Sequence, residues 1–346
     1  MPRLFSLAVA LCAVFTAVSM AAPGAGPVAK RDTVVVDEKT EATIKGALKW
    51  LAAQQKANGS WGSSGEEQRH PIAVTAYVLM TFQSAGHLPG EGEYGRQVAA
   101  GLQYLLDQMA TDGIYGQRHD GQYMYSHGIA TIALAELYGQ TRSAVIRQKL
   151  DRAIKLIISS QNEEGGWRYR PIAKDADMSV TVLQVVALRA AKNSGIEVPQ
   201  KTIDGAVKYV KSCYSATSGG FGYQPGGSPG FARTAAAIYS LQVCGLYDDP
   251  QVRAGSDYLF KNNREEQEWF VYGNFYAAPA HYMIGGPTWE KWYAQIKERL
   301  YKSIKKEGDT YSWESKGHGG VGPVYTTAVF TMILAMPYHY LPLYQR

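Results

Sequence analysis

A unit of about fifty residues recurs six times along the chain, and that repetition limits the possible folds more than any other feature. In the first unit, Lys45-Gly46-Ala47-Leu48-Lys49-Trp50-Leu51 leads to Gln54 and then Gly59-Ser60-Trp61. In the second, Ala100-Gly101-Leu102-Gln103-Tyr104-Leu105 leads to Gln108 and Gly113-Ile114-Tyr115. The third runs from Arg152-Ala153-Ile154-Lys155-Leu156-Ile157 to Gln161 and Gly165-Gly166-Trp167. The fourth runs from Asp204-Gly205-Ala206-Val207-Lys208-Tyr209-Val210 to Gly219-Gly220-Phe221. Fainter fifth and sixth copies start at Gly255 and Leu300, with Trp269 and Trp313 downstream.

Every copy continues into a second apolar segment. These open at His70-Pro71-Ile72, His127-Gly128-Ile129, Asp177-Met178-Ser179, Phe231-Ala232-Arg233, Tyr276 and Val324-Tyr325-Thr326. In the third unit Ile154, Ile157 and Ile158 share one helical face while Lys155 points away, so the first segment is an amphipathic helix. The second segments are apolar nearly all round and rich in Ala and Thr, which marks buried helices. The predicted fold is all-α: six helix hairpins with a buried inner ring, closed into an (α/α)6 toroid. The Gly-aromatic loops staple adjacent units. Gly supplies unusual backbone angles, and the aromatic ring buries a large area across the junction.

Composition agrees. The chain carries 36 Gly, 24 Tyr and 7 Trp, and only 19% charged residues. That excludes a disordered polyelectrolyte and, without a Gly-X-Y period, collagen. The net charge of +5 is spread along the chain. The densest basic stretch, Lys297 to Lys306, also holds Glu298 and reads as a solvated helix face, not a nucleic-acid footprint. Arg3 precedes an apolar run from Leu4 to Val18, followed by Ser19-Met20-Ala21. Residues 1–21 are therefore read as a secretory signal, 22–39 as a linker and 40–346 as the toroid, giving an exported protein with no membrane span. Cys213 and Cys244 fall near the far ends of antiparallel helices, an arrangement that does not favour a disulfide.

The first and third units match the QW repeat of squalene–hopene and related triterpene cyclases: basic, small, aromatic or apolar, aliphatic, Gln, then Gly-x-Trp. From about Thr40 onward the chain resembles the superfamily of prenyltransferase and squalene-oxidase repeats. That resemblance implies the toroid. It does not fix the reaction, because terpene cyclases, protein prenyltransferase subunits, thioester domains and lanthionine cyclases share it. The cyclases carry Asp-x-Asp-Asp-Thr at an inner-helix start, with the middle Asp as the acid. The matching stretch here is Asp175-Ala176-Asp177-Met178-Ser179, with Met in place of the third Asp. Prenylation chemistry would need a Cys ligand for zinc at an inner-helix start, and thioester chemistry a Gly-Cys-Gly-Glu-Gln run. This sequence has neither.

All inner helices start at the same end, so their first residues are expected to converge on one mouth. The candidates there are Asp175 and Asp177 as catalytic acids, and His70, His127, Arg233, His318 and Tyr325 as ligand-binding residues, with His281 joining from the fifth unit. Asp177 also has an ordinary role open to it as a helix N-cap. His70, His127 and Asp177 could hold zinc at the rim, although no metal motif spaces them. Asp175 and Asp177, with Glu66 or Glu67, form the carboxylate set a glycan hydrolase would use. The ligand classes open at this point are an isoprenoid, a glycan, a peptide or a protein. The expected function is ligand binding at the mouth with Asp-based acid catalysis; the alternative is a non-catalytic repeat module for protein or peptide interaction.

Overall fold

Burial divides the helices into two kinds. The computed structural model describes residues 34–344, apart from 64, 117, 119–120, 265–267 and 316–319. The expected signal segment and His318 therefore lie outside the described residues. Six outer helices are α1 (Glu38–Ala53), α4 (Gly95–Asp107), α6 (Ala144–Ser159), α8 (Gln200–Ser212), α10 (Pro250–Asn262) and α12 (Gly286–Ser303). Six inner helices are α3 (Pro71–Ser84), α5 (Met124–Thr141), α7 (Met178–Asn193), α9 (Phe231–Val243), α11 (Phe270–Ile284) and α13 (Pro323–Ala335). Helix α6 buries Ile146, Leu150, Ala153, Ile154 and Ile157 and leaves Lys155 in solvent, whereas α5 is buried without a break from Ser126 to Tyr138. This is the amphipathic and all-apolar pairing read from the sequence.

The inner helices form a closed ring. Each packs on the next in chain order, and α13 returns to α3. Outer helices also lie against the inner helix of the preceding unit, as α4 does on α3, α6 on α5 and α1 on α13. The seam is stitched further by a short helix, α2 (Gly65–Arg69), whose buried Glu67 accepts the backbone N–H of Tyr325 at 2.9 Å through Oε1. A carboxylate there meets the free amides and partial positive charge at the α13 N-terminus.

The loop aromatics act as staples in five units. Trp61, Trp167, Phe221 and Trp313 each donate their backbone N–H to a threonine hydroxyl on the following inner helix: Thr75, Thr181, Thr234 and Thr327, at 2.9–3.1 Å. The indole N–H groups of Trp61 and Trp167 bond the carbonyls of Leu51 and Ile157, both at 2.7 Å. The small residue on the next outer helix makes room for these loops. A Cβ on Gly101 would stand 2.6 Å from the Trp61 ring, and one on Gly46 would overlap Tyr311.

One loop carries strands, and one expectation needs correction. The sixth loop is a β-hairpin, β1 (Ile304–Glu307) with β2 (Thr310–Trp313), paired antiparallel from Ile304↔Trp313 to Glu307↔Thr310. Gly308, at φ 60, and Asp309 close a two-residue turn, and Thr310, Tyr311 and Trp313 are strand formers, so this loop pairs with itself within an all-α fold. The glutamine of the first unit is Gln55, not Gln54. Gln55 Nε2 bridges the carbonyls of Gly59 and Gln97 just as Gln161 bridges those of Gly165 and Thr202. Both glutamines stand four residues before the loop glycine. Cys213 and Cys244 are unpaired.

The end of the barrel opposite the inner-helix starts is closed by the C-terminal segment. Its two 3-10 turns, Met336–Tyr338 and Pro342–Tyr344, tuck Leu343 and Tyr344 under the ring. The Leu343 N–H donates to the buried Glu136 carboxylate at 3.2 Å. Burial pushes the Glu136 carboxyl up to about 7.

Candidate functional site

The first turns of the inner helices enclose a cavity of about 750 Å³ on the barrel axis. Helix α3 contributes Ala73, Val74 and Tyr77, and α5 contributes Tyr125, Ser126 and Ile129. Helix α7 adds Ser179 and Leu183, α9 adds Ala232, Arg233 and Ala236, and α11 and α13 add Tyr272 and Tyr325. The common end predicted from the hairpin order is thus where the cavity lies. Tyr77 meets Phe275 and Tyr325 edge to face, with centroids 5.0 and 4.9 Å apart. Glu66, His70, Gln122, Trp269 and Val321 line the cavity beyond these helices.

A chain of hydroxyls runs along one wall. Ser179 Oγ donates to Asp177 Oδ1 at 2.6 Å and shares a 2.6 Å hydrogen bond with the Tyr125 hydroxyl. Tyr169 and Tyr223 share another of 2.6 Å, and the Tyr272 hydroxyl donates to the Ser179 carbonyl at 2.9 Å. Tyr125 and Ser179 are 54 residues apart, and so are Tyr169 and Tyr223. These bonds therefore join equivalent positions of neighbouring units. Sequence reading missed these tyrosines. The available signal was a tyrosine two residues after the staple, in Trp167-Arg168-Tyr169 and Phe221-Gly222-Tyr223.

Asp177 is fully buried and caps α7, with Oδ1 accepting the Val180 N–H at 3.0 Å. Burial raises its carboxyl above the usual range, and the bonds from Ser179 and Val180 work against that. The cavity itself is lined by Ser179, with Asp177 behind it. Its Oδ2 lies 3.6 Å from Arg168 Nε, and Arg168 Nη1 lies 3.4 Å from Asp175 Oδ2. The two aspartates thus flank an arginine, and burial, not Asp175, displaces the Asp177 carboxyl. Asp175 is exposed and lines a separate shallow cleft with Arg168, Arg170 and Lys174, which meets the main cavity at Gln122 and Tyr169.

The other candidates divide. His70, Arg233 and Tyr325 line the cavity. His70 Nε2 is 3.7 Å from Glu66 Oε2, and Arg233 Nη1 donates to the Ser228 carbonyl at 3.0 Å. His127, expected at the rim, does not face the mouth and instead accepts the hydrogen bond of the second unit's staple, Tyr115. It is fully buried, Nδ1 accepts the Tyr115 N–H at 3.2 Å, and Nε2 pairs with the Ala153 carbonyl at 3.2 Å. It does in unit two what threonine does elsewhere, and burial lowers its pKa to about 4. His281 is likewise buried, bonded to the Ala277 carbonyl at 2.7 Å, and remote from the mouth. The zinc set of His70, His127 and Asp177 is therefore not assembled. Among the described residues no three His, Cys, Asp or Glu side chains converge. No described helix is long and apolar enough to cross a membrane.

The sequence matches the prenyltransferase alpha-alpha toroid domain over residues 31–273. No curated protein matches the chain. Among solved structures, the cellobiose 2-epimerase of Bacillus thermoamylovorans is 14% identical, with 86% of this chain and 99% of that one covered and a TM-score of 0.63. An inactive variant of the alpha-1,6-mannanase of Salegentibacter sp., in complex with alpha-1,6-mannotetrose, is 10% identical over 88% and 100%, with a TM-score of 0.60. A type II terpene cyclase from Scytonema is 13% identical over 88% and 99%, with a TM-score of 0.58. At these identities the likeness concerns the fold.

Proposed function

The chain belongs to the prenyltransferase alpha-alpha toroid family, and from that premise we propose that it binds one apolar ligand in the axial cavity. The cavity carries the reading. Its volume of about 750 Å³ falls in the range of small-molecule sites, and its walls are aliphatic and tyrosine side chains with polar groups gathered at the rim. Glycan hydrolysis is less well supported. A pair of carboxylates is the usual requirement, and Glu66 is the one carboxylate among the described lining residues. The reading includes export, on the apolar run from Leu4 to Val18.

The test is a titration with N-phenyl-1-naphthylamine, a neutral apolar fluorophore. Saturable uptake of one molecule per chain is expected, lost in Ala236→Trp and in Ala73→Trp, which fill the cavity from two sides. Mannotetraose should not displace the probe. Absence of saturable binding, or equal binding by the filled variants, overturns the proposal and favours a module that binds protein or peptide on its outer surface.

A second reading, acid catalysis, is supported by the bonded path from Asp177 through Ser179 to Tyr125 at the cavity wall. Asp177→Asn still caps a helix, so it removes the titratable proton while keeping the fold. Cyclised product from squalene with the wild type and none with Asp177→Asn supports this chemistry. Binding without product in either protein ends it.

A further inference from the structure

Five units bury their loop aromatic: Trp61, Tyr115, Trp167, Phe221 and Trp313 are each at most 1% exposed. The fifth unit departs from this. Trp269 is 47% exposed and lines the cavity mouth, directly before the first residue of α11. Its backbone has φ 60 and ψ 34, in the left-handed region, which a bulky L-residue seldom adopts. A glycine would hold that turn without strain. The turn is anchored by its neighbour, since Phe270 packs edge to face on Phe330 with centroids 6.1 Å apart. Trp269 is thus an exposed aromatic residue on a strained turn at the rim of the axial cavity. Strain at such a place points toward function.

We propose that Trp269 is a ligand-contact residue: its indole is an aromatic platform at the mouth against which the outer end of a ring-bearing apolar ligand packs. The fifth loop is short, with seven residues between α10 and α11 against sixteen to nineteen in the other units, so its aromatic residue stands directly at the start of the inner helix. An indole face accepts a flat π surface or a row of C–H groups, so the platform selects ligands whose outer end is cyclic or planar over flexible saturated chains.

This inference rests on the apolar-ligand reading, and the experiment separates the two. Trp269→Gly and Trp269→Phe are compared with wild type by N-phenyl-1-naphthylamine titration and by urea unfolding. The Gly variant is expected to bind roughly 3- to 10-fold more weakly, the loss of one aromatic contact, while unfolding at a urea midpoint equal to or above wild type because the strain is relieved. The Phe variant should keep most of the affinity. If the Gly variant binds as tightly as wild type, the platform is overturned and the ligand reading stands. A fall in its urea midpoint as large as that of a buried staple also overturns it, because Trp269 is then structural. If the wild type takes up no probe, the ligand reading fails and the platform with it.

Discussion

Units three and five share one repeat and place their tryptophans at different points of it, Trp167 eleven residues before the start of α7 and Trp269 directly before α11. Trp167 is buried, with its backbone N–H on Thr181 and its indole N–H on Ile157, and its loop packs toward the next outer helix. Trp269 stands at the cavity rim on a strained turn. A ring of identical units closes a barrel but has no reason to distinguish one side of its mouth. The short fifth loop, which sets Trp269 at the rim, gives the mouth a side that differs from the rest.

The largest expected effect tests that contrast directly. Trp167→Ala should lower unfolding stability by about 3–5 kcal/mol, and Trp269→Ala by about 1 kcal/mol or less, both read by urea denaturation. Comparable losses would erase the distinction between the units.

Next comes the histidine that replaces a threonine in unit two. Burial lowers the His127 pKa from 6.5 to about 4. Below pH 6.5 the unfolded chain takes up a proton that the folded chain refuses, so stability falls as pH drops toward 4, by roughly 3 kcal/mol. His281, also lowered to about 4, adds the same slope. Glu136, raised to about 7, works in the other direction and loses stability as pH rises from 4.5 through 7. The informative quantity is therefore the difference between wild type and His127→Gln in unfolding free energy across pH 4–7. It should show a slope approaching 1.4 kcal/mol per pH unit, and no slope would mean that His127 is solvated.

Thr181→Val leaves the Trp167 N–H buried without an acceptor and should cost about 1–3 kcal/mol by the same measurement. The smallest effect belongs to the cap. Asp177→Ala should cost about 1 kcal/mol and Asp177→Asn a few tenths, since Asn caps as well as Asp does. A much larger loss from Asn would mean that the Asp177 charge supports the fold through Arg168.

Periodicity made the repeat, the two helix classes, the closed ring and the common mouth legible in the sequence. It could not show how each loop folds. Trp269 follows its outer helix at a staple's spacing but directly precedes α11, whereas the stapling aromatics stand nine to eleven residues before their inner helices, and the sequence did not mark where α11 begins. His127 looked like a rim ligand because it opens an inner segment. The second unit is shorter, its acceptor following Tyr115 by 12 positions where Thr181 follows Trp167 by 14, and that brings the imidazole under the staple. The β-hairpin was hidden for a related reason: its strands are four residues each, too short for alternation to stand out from a helix end. The hydroxyl chain from Tyr125 to Asp177 depends on contacts between units one repeat apart, which residue types alone do not reveal.

The ligand site proposed on the toroid axis is apolar. Calorimetric titration of N-phenyl-1-naphthylamine at several temperatures tests it most directly, because burial of apolar surface gives binding a negative heat-capacity change. One site per chain with a clearly negative heat-capacity change is expected in the wild type, and no binding heat in Ala236→Trp. A wild type without saturable heat, or an Ala236→Trp variant that matches it, would contradict an apolar site on the axis.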